Sequence, residues 1–128
     1  MAEVEDVAPD GTATPLTEGA LLGSLRAVDR ARSWTTRGGG YLTPYHPYTQ
    51  GSSRAVTPGR MTRYDVEIFP TYATIAAGHS IRVTISTADS PHLSATAPEL
   101  SNLAGGTYAL QRTPNNASYV ELDLQPVR

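Results

Sequence analysis

The sequence predicts an all-β fold, an antiparallel β-sandwich carrying one short helix; jelly rolls are one architecture of this kind. Three observations carry the reading. Tyr64, Val66 and Ile68 alternate with Asp65 and Glu67. Ile81, Val83 and Ile85 alternate with Arg82, Thr84 and Ser86. A period of two gives a strand one buried and one wet face. Proline, glycine, asparagine and aspartate punctuate the rest, and a single segment shows a helical period.

The chain opens in a strand, Glu3 to Val7, with Val4 and Val7 as its bulky apolar residues. Pro9-Asp10-Gly11 then predicts a turn, because proline presets φ and glycine accepts a positive one. Leu16 to Ala31 is the helical candidate. Thr17 can cap it, Glu18 suits its first turn, and Leu21, Leu22, Leu25 and Val28 recur at helical spacing. Gly19 and Gly23 each lower helix propensity by about 1 kcal/mol relative to alanine. The alternative, a strand from Gly19 to Arg26 followed by a short helical turn, stays open.

Residues 33–58 read as a long loop, with Gly38-Gly39-Gly40, Pro44, Pro47 and Gly51. Such a connection is uncommon in a compact domain. Trp34, Tyr41, Tyr45 and Tyr48 make it aromatic; the rings either pin the loop to the sandwich, the favoured reading, or meet another domain. Strand Tyr64–Ile68 ends at Pro70 and resumes over Tyr72–Ile75. Ala77-Gly78-His79 is a turn into strand Ile81–Ile85, which Asp89-Ser90-Pro91 breaks. Residues 94–106 are loop. Thr107–Arg112 and Tyr119–Leu124 form a final pair joined by Pro114-Asn115-Asn116.

A chain of 128 residues bounds the protein to one domain. Hydrophobic content of 39% and charged content of 17% suit a globular protein. The net charge of −2 gives no broad electrostatic footprint for nucleic acid. Every basic residue apart from the histidines is arginine; Arg26, Arg30 and Arg32 read as one solvated face. The absence of cysteine removes disulfides, Cys-ligated zinc and thiol catalysis. No apolar run approaches the ~20 residues of a membrane span. The acidic first residues lack an export pattern, which favours a cytoplasmic over a secreted location without fixing it.

Catalytic signatures are weak. G-x-S-x-G is absent, and Gly78-His79-Ser80-Ile81-Arg82 lacks the second glycine and lies between strands. His79 and Ser80, being adjacent, point to opposite faces. His46, His79, His92, Asp65 and Asp89 are residue types that any chain of this size holds; their expected roles are local. His79 bonds within its turn, His46 packs in the loop between prolines, and His92 with Asp89 fixes a turn. Asp65 and Glu67 share the wet face of a strand, unlike a glycosidase pair across a cleft. No H-x-H, H-E-x-x-H or calcium-loop spacing occurs, and the tri-glycine opens no helix. No catalytic, cofactor-binding or metal-binding residue is assigned, and no cofactor is expected.

An ordered set of short segments carries a resemblance. It comprises Val7-Ala8-Pro9-Asp10-Gly11, Leu16-Thr17-Glu18-Gly19, Leu25-Arg26, Pro44 to Pro47, Thr57-Pro58-Gly59, Val66-Glu67-Ile68-Phe69-Pro70-Thr71, Ala77-Gly78-His79-Ser80-Ile81-Arg82-Val83, and Ser86 to His92. Together they resemble the second half of the C-terminal non-catalytic domain of X-Pro dipeptidyl-peptidase and cocaine-esterase-like serine hydrolases. His92 stands where relatives often carry arginine, and Trp34 and the tri-glycine lie outside the pattern.

The resemblance implies a bacterial, galactose-binding-like jelly roll that follows an α/β-hydrolase domain holding a Ser-Asp-His triad. On this reading residues 1–128 are a partial C-terminal β-sandwich domain and the catalytic domain is absent from the chain, so no triad residue carries over. The expected partner is that catalytic domain, in the same protein or a companion chain; a homo-oligomer stays open, and nucleic acid and membrane are not expected. The resemblance also attaches the family's dipeptidyl-peptidase activity, with ester or peptide-amide hydrolysis performed by the catalytic domain. The expected role here is accessory, shaping the pocket or an interface through residues 41–48 and 89–103. The alternative is a free carbohydrate-binding module. Catalysis by this chain alone, through Ser80 and His79, is least favoured.

Overall fold

The computed structural model describes residues 1–87 and 106–126. They form two compact units, residues 1–86 and 87–128. The architecture is antiparallel and largely β, with two 3-10 turns. The expected turn at Asp89-Ser90-Pro91, His92 and most of the 94–106 loop lie outside the described residues. Among the described residues no helix is long and apolar enough to cross a membrane.

The first unit is built on a three-stranded antiparallel sheet. β1 (Ala2–Val7) lies in the middle, between β2 (Ala13–Gly19) and the strand Ser80–Ile85. The β1–β2 connection is the expected turn. Gly11 donates to the Ala8 carbonyl at 2.9 Å, the Asp10 carboxylate takes the Thr12 amide at 2.8 Å, and Gly11 has φ +88°. A residue with a Cβ would be strained there.

The helix expected over Leu16–Ala31 does not form. Its first quarter, Leu16–Gly19, belongs to β2, and a 3-10 turn over Gly23–Leu25 follows. The strand alternative also misplaced the boundary, since β2 ends at Gly19 where that strand was to begin. The pairing moves from Val4 with Thr17 to Glu5 with Pro15, so Leu16 is an extra residue, a bulge. Thr17 caps nothing; its hydroxyl donates to the Phe69 carbonyl at 2.6 Å. Gly19 explains why helical spacing lost: a Cβ there would collide with the Glu67 carbonyl oxygen. Two backbones meet at that point, and the leucine period yields to the contact.

The segment Tyr64–Ile68, expected as a strand, runs beside β2 without a ladder. Its attachments are the Thr17 hydroxyl bond and a 2.9 Å bond from the Phe69 amide to the Glu18 carbonyl. No strand forms over Tyr72–Ile75, and Tyr72 is 98% exposed. The loop over residues 33–58 holds structure of its own: β3 (Trp34–Thr35) pairs with β4 (Tyr41–Thr43), and a capped 3-10 turn spans Gln50–Ser52. β5 (Ser80–Ile85) is the clean strand that its alternation predicts, entered through the turn at Gly78.

Register and alternation sort the sheet's two faces. Ala2, Val4, Ile81, Val83 and Ile85 share one; Glu3, Glu5, Glu18, Arg82 and Thr84 share the other. On the apolar face Ala2 and Val4 are buried, while Val83 and Ile85 stay 37% and 54% exposed.

In the second unit the pair expected over Thr107–Arg112 and Tyr119–Leu124 does not form; a two-residue hairpin lies instead at the expected connection. β6 (Arg112–Thr113) pairs with β7 (Asn116–Ala117) around Pro114-Asn115, and the Ser118 amide reaches the Gln111 carbonyl at 3.0 Å. The ladder goes no further, because Tyr108, Leu110, Tyr119 and Leu124 are exposed and bury no shared face.

Candidate functional site

Three side-chain assemblies stand out in the first unit. The first crosses the polar face of the sheet. Arg82 donates through Nε and Nη2 to the two Glu5 carboxylate oxygens, each at 2.8 Å, and the Thr84 hydroxyl adds a third bond at 2.7 Å. Glu5 is buried and pairs directly opposite Arg82 in the register. The Arg82 hydrogen bonds, with help from Thr84, hold the Glu5 carboxyl down at about 2 and raise the guanidinium. The ion pair staples the middle strand to β5.

The second lies one residue further along β1, on the other face of the sheet. His79 Nδ1 meets the Asp6 carboxylate at 2.9 and 3.0 Å, joining positions 73 residues apart. The expected bond within its own turn is made by the His79 amide, which donates to the Ala76 carbonyl at 3.1 Å, while β1 brings Asp6 under the turn and the ring takes that carboxylate as its partner. Asp10 is nearby, its carboxyl lowered mainly by the Thr12 amide. A carboxylate–imidazole pair is two-thirds of a hydrolytic triad, but among the described residues Nε2 of His79 bonds no hydroxyl. Ser80 projects from the opposite face, so sequence adjacency does not become catalytic proximity. Among the described residues no three histidine or carboxylate side chains gather as metal ligands would.

The third assembly pins the long loop. His46 is 4% exposed, and its ring spans two carbonyls, Ala27 at 3.1 Å from Nδ1 and Asp65 at 2.8 Å from Nε2. The expected packing between Pro44 and Pro47 is thus accompanied by ring contacts to two carbonyl oxygens that spacing does not reveal, and the one N–H of a neutral imidazole donates to one of them. Tyr48 follows at φ +51°, a left-handed turn that costs a non-glycine residue about 1 kcal/mol or more. Its ring lies 5.7 Å from that of His46. Burial, then the charge of Glu67, raises the Tyr48 phenol.

Arg26 is a fourth point of fixation. It donates to the carbonyls of Gly23 at 2.7 Å, Arg54 at 2.6 Å and Ala55 at 3.1 Å. The solvated face expected for Arg26, Arg30 and Arg32 is therefore corrected. Arg26 ties two chain segments, Arg32 sits 3.8 Å over the Tyr45 ring, and Arg30 lies 5.8 Å from the Tyr41 ring. Trp34, expected to help pin the loop, is 71% exposed. Asp65 is not merely a wet carboxylate: Arg63 grips both its oxygens, through Nε at 2.9 Å and Nη2 at 2.6 Å.

These assemblies hold a scaffold together and leave an apolar sheet face accessible. The comparisons with known proteins agree with such a reading. A family described as the X-Pro dipeptidyl-peptidase C-terminal non-catalytic domain matches residues 1–126. A protein named as a candidate serine esterase in Mycobacterium bovis is 33% identical over 89 residues, which is 70% of this chain and 14% of that protein. A likewise named protein of Mycobacterium tuberculosis matches with the same identity and coverage. The chain thus spans about one-seventh of the curated relatives that it matches. No solved structure matches it significantly. The word non-catalytic in the family's description overturns one expectation, that dipeptidyl-peptidase activity attaches to this chain.

Proposed function

The chain belongs to the family of the X-Pro dipeptidyl-peptidase C-terminal non-catalytic domain, and from that premise we propose how it serves a serine hydrolase. The chain is an accessory jelly-roll element, part of a C-terminal domain, whose partner is an α/β-hydrolase catalytic domain. That partner performs ester or peptide-amide hydrolysis, and this chain braces it and borders its pocket. One observation carries the proposal. Val83 and Ile85 stand exposed on a sheet face whose middle-strand residues, Ala2 and Val4, are buried. An apolar patch on one face of a sheet whose other face is tied by the Glu5–Arg82 ion pair is what a docked domain covers.

The mechanical logic follows from the staples. Glu5–Arg82 and Asp6–His79 lock the strands in register before any partner arrives, so docking need not order them. A carbohydrate-binding module would instead need a platform of aromatic rings. In the first unit the two most exposed rings are Trp34 and Tyr72, and among the described residues neither stacks with another ring to make such a platform.

The test is reconstitution. The chain is mixed with the Mycobacterium tuberculosis relative from which the segment matching this chain has been removed. Association with a rise in hydrolysis of an aryl ester or an X-Pro amide is expected. No complex and no change in turnover would defeat the proposal.

A further inference from the structure

We propose that a cleft lined by arginines in the first unit binds a small oxyanion carrying a short apolar tail. The cleft is an open surface depression of about 600 Å³. Arg26, Arg54, Arg60 and Arg63 line it, and Val28 and Met61 contribute apolar surface. The chain as a whole carries a net charge of −2, so four guanidinium groups in one cleft are a local reversal of sign.

The partners of each guanidinium decide what the cleft can do. Arg63 is neutralised by Asp65. Arg26 and Arg54 bond only neutral backbone carbonyls: Gly23, Arg54 and Ala55 for the first, Gly51 and Ser53 for the second. Among the described residues no carboxylate pairs with Arg26, Arg54 or Arg60, and the Arg60 guanidinium makes no hydrogen bond. Three positive charges therefore share the cleft with no counter-ion among the described residues.

A guanidinium has five N–H donors. Arg54 uses donors on Nη1 alone, which leaves Nε and Nη2 as a fork, and Arg60 keeps all five. Such forks match the paired oxygens of a carboxylate or phosphate. Arg26 and Arg54 are held by their carbonyl bonds, so little side-chain freedom remains to be lost on binding. The apolar surface from Val28 and Met61 favours a tail over a bare ion.

The full chain is titrated at low ionic strength with inorganic phosphate, with hexanoate and with chloride, and the arginine Nε–Hε signals are followed by NMR. Saturable shifts of Arg54 and Arg60 with phosphate or hexanoate, absent with chloride, are expected. Tighter binding of hexanoate than of acetate identifies the tail. Arg60→Gln, an exposed position without a structural partner, weakens binding about tenfold and leaves the thermal midpoint unchanged. Shifts that match those from chloride at equal ionic strength, or an unaltered affinity in Arg60→Gln, would overturn the site.

Discussion

Glu5 and Arg82 face each other across β1 and β5, joined by two bonds of 2.8 Å. The carboxyl is held at about 2, against an ordinary value of 4.5, chiefly by the Arg82 hydrogen bonds. A lowered carboxyl stabilises the fold fully above its ordinary value and loses that contribution as pH falls through the folded one. Stability is therefore expected to drop between pH 4.5 and about 2. Glu5→Gln lowers stability at neutral pH and flattens the acid limb, read by urea midpoints at successive pH values.

His46 joins the segments at Ala27 and Asp65. Alanine there removes the ring from between the two carbonyls, with the hydrogen bond that its N–H donates and its buried packing. A loss of about 2–4 kcal/mol is expected from equilibrium unfolding. His46→Gln, which keeps one donor group, loses less. An unchanged midpoint in the alanine variant would show that the ring bears no load.

Gly19 touches the Glu67 backbone too closely for any side chain. Gly19→Ala forces the two segments apart at a cost of about 2 kcal/mol or more. Proteolysis is expected to open the stretch near Phe69 first. Gly51, whose added Cβ meets nothing, serves as the control and tolerates alanine.

Val83 and Ile85 are the exposed part of the apolar sheet face. Val83→Asp with Ile85→Asp leaves the isolated chain no less soluble and reduces its binding of a hydrophobic dye. In the reconstitution with a hydrolase domain, the same pair weakens association at least tenfold. Equal association by native and variant chains would move the docking surface elsewhere.

The strands that alternation marks cleanly were legible: residues 81–85 form a strand as read, and so does the opening strand with its Pro9-Asp10-Gly11 turn. The helical period over residues 16–31 misled because it rested on leucines alone. Leu22 is exposed and the others are only half-buried, so no helical face is sealed, while the Gly19–Glu67 contact holds the chain extended. Alternation at Tyr64–Ile68 likewise predicts a ladder, yet pairing also needs a receptive neighbour, and a strand broken by Pro15 and the Leu16 bulge offers two bonds. Long-range partnerships such as Asp6 with His79, or His46 with Ala27 and Asp65, leave no mark on local spacing. The ordered motif set, by contrast, identified the family before any geometry was known.

Pro15 and the extra residue at Leu16 give the three-stranded sheet a grain. Its β2 margin lacks one amide donor and is part-occupied by Phe69, whereas the opposite margin is the regular run Ser80–Ile85. Among the described residues the regular main-chain run and the exposed valine and isoleucine therefore fall on the same strand, and the irregular margin carries neither.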